Sequence, residues 1–417
     1  MFLPACCISS EVLLRRSLGS VEPHTGQLQP TIGTPVEVPL PRTIIFIEDG
    51  RIADAPPPGK TLFCLQPLGG KTIIPGMRAA LISPFSSGPV RGNIITVQRI
   101  AQHLPATGCE VLTIGLDTAH DQLLDQQLDR FRPDLLHAFH AFHSGPKTRL
   151  LARQRTLPYL ITMTGSDLHE TGLCDHPDTV LALRDAAAIT CFDQPAAEQL
   201  ITRYPQLAER VVIIPQGVEP LEVHHPVTRS PDLFVILLPA AIRPVKGILE
   251  AIQALTPLAA EFPQLRLWLA GGDLDPCYAL QVRHLASSLP WLVLLGEVAH
   301  GQMGDLFASA DLIVNNSRFE GGMANSLLEA MAAARPVIAR NVPGNRSLIK
   351  HGITGWLFDN QQELQELIRH TVTRKSLLHE VGAAARELVT RHYSARREAD
   401  ALVRLYQQII ATGTSRQ

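Results

Sequence analysis

Short apolar runs separated by stretches of helical period recur along most of this chain. The first run, Arg78-Ala79-Ala80-Leu81-Ile82-Ser83, closes on Pro84 and a Ser/Gly loop, and an amphipathic stretch follows over Ile94 to Leu104. Further strand-like runs fall at Glu110–Ile114, Leu135–Ala138, Tyr159–Met163, Ala188–Cys191 and Val211–Ile214. A polar, proline-bearing piece, Val227-Thr228-Arg229-Ser230-Pro231-Asp232, reads as a linker. Beyond it the pattern restarts with Leu233–Leu238, Leu265–Ala270, Leu292–Leu295, Leu312–Val314 and Val337–Ala339. Strands alternating with helical stretches predict βαβ units and parallel sheets. The fold class is therefore α/β, with two doubly wound halves over 77–230 and 231–395. A helical tail from Gln361 to Ala411 closes the chain.

Residues 1–76 belong to neither block. Over 43–76, Thr43-Ile44-Ile45-Phe46-Ile47 and Gly70-Lys71-Thr72-Ile73-Ile74-Pro75-Gly76 predict short strands, with a hairpin at Glu48-Asp49-Gly50. This piece resembles the small N-terminal β-segment of amidohydrolases, in which a similar Ile-Pro-Gly precedes a metal-binding His-x-His. Here Met77-Arg78-Ala79 follows instead. The segment is read as a fused remnant or an over-long gene start, with Met77 the natural beginning of the working part. A role for it as a partner contact is the alternative.

Composition narrows the function classes. Hydrophobic residues make up 45 % of the 417 and charged residues 18 %, which excludes a disordered chain. The length asks for two domains or more. A formal net charge of −2 lacks the footprint of a nucleic-acid binder. The seven cysteines are dispersed without a CxxC pair, so neither a disulfide framework nor a zinc site is suggested, and a reduced, cytoplasmic location fits. The longest apolar run, Leu233–Ile242, is too short to span a bilayer. Of the 37 Lys and Arg residues only six are lysines, which draws attention to Lys246.

Two stretches carry candidate chemistry. Ile242-Arg243-Pro244-Val245-Lys246-Gly247 follows a strand and opens a helix at Ile248. Two cations at a strand's carboxyl end, beside a helix N-terminus, suit a diphosphate; an exposed basic turn is the plainer alternative. The second stretch, Ser317-Arg318-Phe319-Glu320-Gly321-Gly322-Met323-Ala324-Asn325-Ser326-Leu327-Leu328-Glu329, runs from a strand through a glycine pair into a helix. Its glycines admit a ligand to the backbone, its helix start offers N–H groups to anionic oxygens, and Glu329 can accept hydrogen bonds from sugar hydroxyls. Ser326-x-x-Glu329 also reads as a capping box, which needs no ligand.

These stretches, with Arg335-Pro336-Val337-Ile338-Ala339, Gly352-Ile353-Thr354-Gly355-Trp356-Leu357-Phe358 and Ile214-Pro215-Gln216-Gly217-Val218, resemble family 4 retaining glycosyltransferases of the GT-B fold. The nearest subgroup is that of glycosyltransferase 1 domain-containing and selenosugar synthase-like proteins. It shares Gly92-Asn93-x-x-Thr96-x-x-Arg99, Thr164-Gly165-Ser166-Asp167 and Pro343-Gly344-Asn345. The resemblance covers about residues 77–412 and implies a GT-B fold with two Rossmann-like domains and a C-terminal helix (396–417) that crosses back to the first of them. It implies a metal-independent, hexosyltransferase-type reaction with a nucleotide-diphosphate sugar, UDP-sugar first, and with retention at the anomeric carbon. No cofactor is implied. Arg243, Lys246 and Gly247 would hold the diphosphate and Glu329 the ribose. Glu320 and the backbone of Gly321, Gly322, Met323, Ala324 and Asn325 would lie against sugar and phosphate, with Gly272 and Val298 lining the nucleotide side. Gly92, Asn93, Thr96, Gly165 and Ser166 would face a small-molecule, glycan or lipid-linked acceptor, and peripheral membrane contact stays open. Catalytic contacts would come from Asp167, Glu320 and His140. Eight residues separate Glu320 from Glu329 where the family has seven, so either the loop bulges or position 321 takes the acid's place. Thr164 stands where many relatives carry His.

His137, His140 and His143 recur every three residues after the strand at Leu135. A zinc set is one reading, core and loop histidines the other, with His140 a substrate contact at the strand end. A non-catalytic nucleotide- or sugar-binding protein on the same fold is the rival to an enzyme.

Overall fold

The computed structural model describes residues 76–86 and 92–414. The expected N-terminal extension, its hairpin at Glu48–Gly50 and the Ser87–Gly88 part of the first loop lie outside the described residues.

The first half holds β1 (Met77–Ser83), β2 (Cys109–Gly115), β3 (Leu135–Phe139), β4 (Tyr159–Thr162), β5 (Ala188–Cys191) and β6 (Val211–Ile213). They form one parallel sheet in the order β2-β1-β3-β4-β5-β6. The second half repeats the plan with β7 (Phe234–Pro239), β8 (Leu265–Ala270), β9 (Leu292–Gly296), β10 (Leu312–Asn315), β11 (Val337–Arg340) and β12 (Trp356–Phe358), ordered β12-β11-β10-β7-β8-β9. Each sheet is covered by helices on both faces, which is why the strands read as unbroken apolar runs. Side chains still alternate. From β7, Phe234, Ile236 and Leu238 enter the core on one face, while Val235 and Leu237 enter the core on the other. In both sheets the strand order reverses beside the first strand, opening a crevice at the carboxyl ends. The edge strand β12 was not expected, because its three residues are too few to register as a run.

The linker expectation at 227–232 needs correction. Arg229 donates to the carbonyls of Ser309 and Leu233 and to Asp311, and the Val227 amide donates to Ser309 Oγ. That piece is pinned to the second half. The chain passes between halves at 214–218 and again at 393–395, and the two passages pair: Val218 N–H donates to the Tyr393 carbonyl (2.7 Å) and Ala395 N–H to that of Val218 (3.2 Å). Gly217 permits this, since a Cβ there would lie 2.6 Å from Ala395 Cα.

Helices Gln361–Val372 and Lys375–His392 stay on the second half, and only Ala395–Thr414 returns to the first. It buries Ala399, Leu402, Tyr406 and Ile409 against Leu81, Val97 and Phe139. Tyr406 Oη lies 2.6 Å from His137 Nδ1, whose other nitrogen meets Thr162 Oγ1 (2.6 Å), and Thr162 continues to Thr190 (2.6 Å). Burial pushes the His137 imidazole down to about 3, so it stays neutral. His137 is thus a core residue, separate from His140 and His143. Among the described residues no His, Cys, Asp and Glu side chains group in a way suited to a metal ion, and no described helix is long and apolar enough to cross a membrane. Tyr406→Phe strands one nitrogen of a fully buried ring, so urea unfolding is expected to show a loss of about 1–3 kcal/mol; an unchanged midpoint would mean that the tail helix docks by apolar contact alone.

Candidate functional site

A cavity of about 550 Å³ lies between the carboxyl ends of the two sheets and takes its walls from both. On the second half, β7 delivers Arg243 and Lys246, β8 delivers Gly272, β9 delivers Val298, and β10 leads into Phe319–Ala324 and the helix Asn325–Ala332. Gly92, Asn93, Thr96, His140, Gly165 and Ser166 complete the wall from the first half. Of the residues assigned from sequence to the donor, the acceptor or the catalytic contacts, two do not line this space. Gly247 sits behind it at φ +59°, where a Cβ would press on the Asn316 carbonyl, so it shapes the turn after Lys246 and touches no ligand space. Asp167 is fully buried, and its carboxylate accepts the amides of Ala141 (2.7 Å), Thr164 (3.0 Å) and Gly165 (2.8 Å). It braces the loop from below and has no reach into the cavity, which removes it from the catalytic contacts.

Lys246 does not stand alone. Its Nζ lies 2.7 Å from Glu320 Oε1, which also accepts from Asn315 Nδ2 (3.1 Å). Burial pushes the Glu320 carboxyl up, but the Lys246 cation and hydrogen bonds from Lys246, Ser317 and Asn315 outweigh it and hold the group below its usual 4.5. Spacing left open whether position 320 or 321 takes the acid's place, and the surroundings of 321 bear on it. Gly321 lies against Gly165 across the cleft, and a Cβ on Gly165 would come within 2.9 Å of Gly321 Cα. No side chain fits at 321. Glu320 is the carboxylate that this turn brings to the cavity wall.

The capping box is not formed. Ala324 occupies the cap position with no side-chain hydrogen bond, and Glu329 turns to His300, Oε1 to Nε2 at 2.8 Å. The carboxylate beside it raises the His300 imidazole above 6.5, against opposing effects from burial and from Arg99. The side chain of Asn325 is committed elsewhere. It donates to the Gly92 carbonyl (2.9 Å) and Thr96 Oγ1 (3.3 Å), and it accepts from Arg99 Nη1 (3.1 Å) and from Gln216. Arg99 in turn forks onto Glu398 of the returning helix, Nε to Oε2 at 2.9 Å and Nη2 to Oε1 at 3.2 Å. Asn325 and Thr96 therefore fasten the two halves together as well as lining the cavity.

On the opposite wall His140 adopts φ +81°, rare for a residue with a side chain. Its Nδ1 accepts the His143 amide (3.2 Å), which assigns the ring hydrogen to Nε2, and that group donates to Ser166 Oγ (2.9 Å). Ser166 keeps its own hydrogen for the cavity. His169 packs on Phe319 across the cleft with ring centroids 3.8 Å apart, and burial pushes its imidazole down to about 4, so it stays neutral near pH 7. His300, His169 and the Arg99–Glu398 pair were not singled out as site residues. The first two are lone histidines in sequence, and the pair spans 299 positions.

The Lys246–Glu320 contact makes the two cations of the turn unequal for stability. Arg243 is exposed, so Arg243→Ala is expected to change stability by less than about 0.5 kcal/mol. Lys246→Met strands a buried carboxylate and is expected to cost about 3 kcal/mol near neutral pH. The paired Glu320 carboxyl is held low, so it stabilises the fold above 4.5 and loses that effect as pH falls through its folded value. Stranded, it is instead relieved by protonation, so the gap between wild type and Lys246→Met closes on acidification. Adding Glu320→Gln restores most of the loss. Equal melting curves for all four proteins across pH would refute the pairing.

Comparison with known proteins adds to this geometry. Residues 234–374 match the sequence family described as Glycosyl transferases group 1. A glycosyltransferase 1 domain-containing protein 1 from Xenopus tropicalis is 26 % identical over 338 residues, covering 76 % of this chain and 94 % of that protein. A D-inositol 3-phosphate glycosyltransferase 1 from Catenulispora acidiphila is also 26 % identical, over 68 % of this chain and 74 % of that one. Among solved structures, sucrose-phosphate synthase from Thermosynechococcus elongatus superposes with a TM-score of 0.68 at 20 % identity, covering 81 % of this chain and all of that one. Anabaena HepE, solved with UDP and glucose, superposes at 0.62 and 17 % identity, over 80 % of this chain and all of that one. The protein has the GT-B fold, and its second half carries the sequence pattern of the group 1 glycosyltransferases.

Proposed function

We propose that the protein transfers a sugar from a nucleoside-diphosphate donor, UDP-sugar first, to an acceptor hydroxyl. The observation that carries this reading is the meeting, in one cavity, of an anion site and carboxylates suited to sugar hydroxyls. Arg243, Lys246 and the start of helix Asn325–Ala332 face the same space. An incoming diphosphate would take up the cationic charge that Glu320 now shares, with Arg243 as a planar fork and Lys246 as a point charge. The amides at the helix start would receive phosphate oxygens. Glu329 would accept from the ribose, and Glu320 from the transferred sugar. The base would lie by Val298, and Gly272 would line the nucleotide side.

The transfer is proposed to retain anomeric configuration and to run without a metal ion. Cationic side chains and the helix end would stabilise charge on the departing diphosphate, and that phosphate would draw the proton from an acceptor attacking on the same face. The acceptor would enter past Gly92, Asn93 and the His140–Ser166 pair, whose free hydroxyl hydrogen can orient an oxygen. Anabaena HepE, which shares the fold, was solved with UDP and glucose, which supports UDP as the first nucleotide to try.

Calorimetric titration of the full chain with UDP tests the reading. Saturable binding is expected, weakened about tenfold or more by Arg243→Ala, the scale of a charge-assisted contact. Absence of binding by UDP and by other nucleoside diphosphates would overturn it.

A further inference from the structure

We propose that His300 is the positioning residue of the nucleoside site, holding one oxygen of Glu329 so that the other is presented to the ribose hydroxyls. The inference rests on the reading of Glu329 as the ribose acceptor.

The two residues reach each other from separate elements. Glu329 comes from the second turn of helix Asn325–Ala332, and His300 from the short 3-10 turn His300–Gln302, two residues past Val298 at the end of β9. Both line the cavity. The Glu329 side chain is 9 % exposed and that of His300 33 %, so the carboxylate is sunk into the wall with the imidazole over it. A glutamate on a cavity wall has three torsions, and an unheld carboxylate must be ordered at the moment a ligand binds. Here one contact of 2.8 Å does that beforehand. It takes a single lone pair from Oε1, and a carboxylate has about four such sites, enough to accept two ribose hydroxyls as well. The same contact joins the base side of the cavity, through β9, to its phosphate side, through the helix start.

The charges around the pair favour the contact from the imidazole side. Arg99 of helix Gly92–His103 acts on the His300 ring as a like charge, but its own guanidinium is held by Glu398 and Asn325. Glu297 lies three residues before His300 and lines the cavity too. Burial opposes a charge on the ring, and the net effect of Glu329 is nonetheless to favour the protonated imidazole.

A ligand-based cycle separates positioning from a general structural effect. The full chain, its His300→Ala form and its His300→Gln form are titrated with UDP and with 2′,3′-dideoxy-UDP. The expected result is that His300→Ala weakens UDP about tenfold while leaving the dideoxy analogue within about twofold, because that ligand has no hydroxyl for Glu329 to accept. His300→Gln, whose amide can donate from near the Nε2 position, is expected to recover most of the UDP affinity. Equal weakening of both ligands would show a structural role only, and no weakening of either would show no role; each overturns the proposal. Wild-type protein that binds UDP no better than its dideoxy analogue would overturn the ribose reading of Glu329 and this role with it. Failure of the wild type to bind either ligand would overturn both as well. The wild-type titrations therefore distinguish failure of the donor-site reading from failure of His300 alone.

Discussion

A buried guanidinium governs how the two halves meet. Arg99 lies on the first helix of one half and is almost wholly out of water, which is tolerable only because Glu398 accepts from two of its nitrogens and Asn325 from a third. Those partners come from the returning helix and from the helix start that forms the cavity wall. One desolvated cation thus fixes three helices at once. Asn325, so anchored, also holds the Gly92 carbonyl and Thr96, and the halves close until the backbones of Gly165 and Gly321 meet. The cavity is the space left when that seam is satisfied.

Inside it, charges are handled locally. Lys246 and Glu320 compensate each other, as do Glu329 and His300, so the site is polar without drawing on any excess of basic residues. A chain with a formal net charge of −2 can therefore present an anion site. In the proposed reading an incoming diphosphate would compete with Glu320 for Lys246 and meet the exposed guanidinium of Arg243. Asp167 shows the converse. Its carboxylate is spent on three amides, and its part is to hold the shape of the Thr164–Ser166 loop that presents Ser166.

Much of the architecture was legible in the sequence, because strands buried on both faces read as apolar runs and the glycine-rich turns sit at their carboxyl ends. All eleven runs became strands, β1 to β11, with boundary shifts of one residue. The three-residue β12 escaped because so short a strand has no period. The site was partly legible. Arg243, Lys246, Glu320 and Glu329 follow strands where a crevice is expected, and all four face it. What the sequence could not convey was pairing across distance. Nothing about Glu398 or His300 announces its partner, and Asp167 in a Thr-Gly-Ser-Asp stretch reads as an available acid until its amide partners are placed. The capping-box pattern at Ser326–Glu329 misled for a related reason: the motif records what a glutamate can reach locally, and His300 offered it a better contact.

The central claim, that this seam and cavity serve sugar transfer, is tested most directly by turnover. Purified full-length protein, treated with a chelator, is incubated with a panel of nucleotide sugars, with and without hydroxyl acceptors, and the products are followed by mass spectrometry and proton NMR. The account predicts release of the nucleoside diphosphate from one donor class, UDP-sugars first, with the product sugar in the donor's anomeric configuration. Binding of a nucleoside diphosphate with no release from any donor or acceptor in the panel would contradict it and identify a binding protein on the same fold.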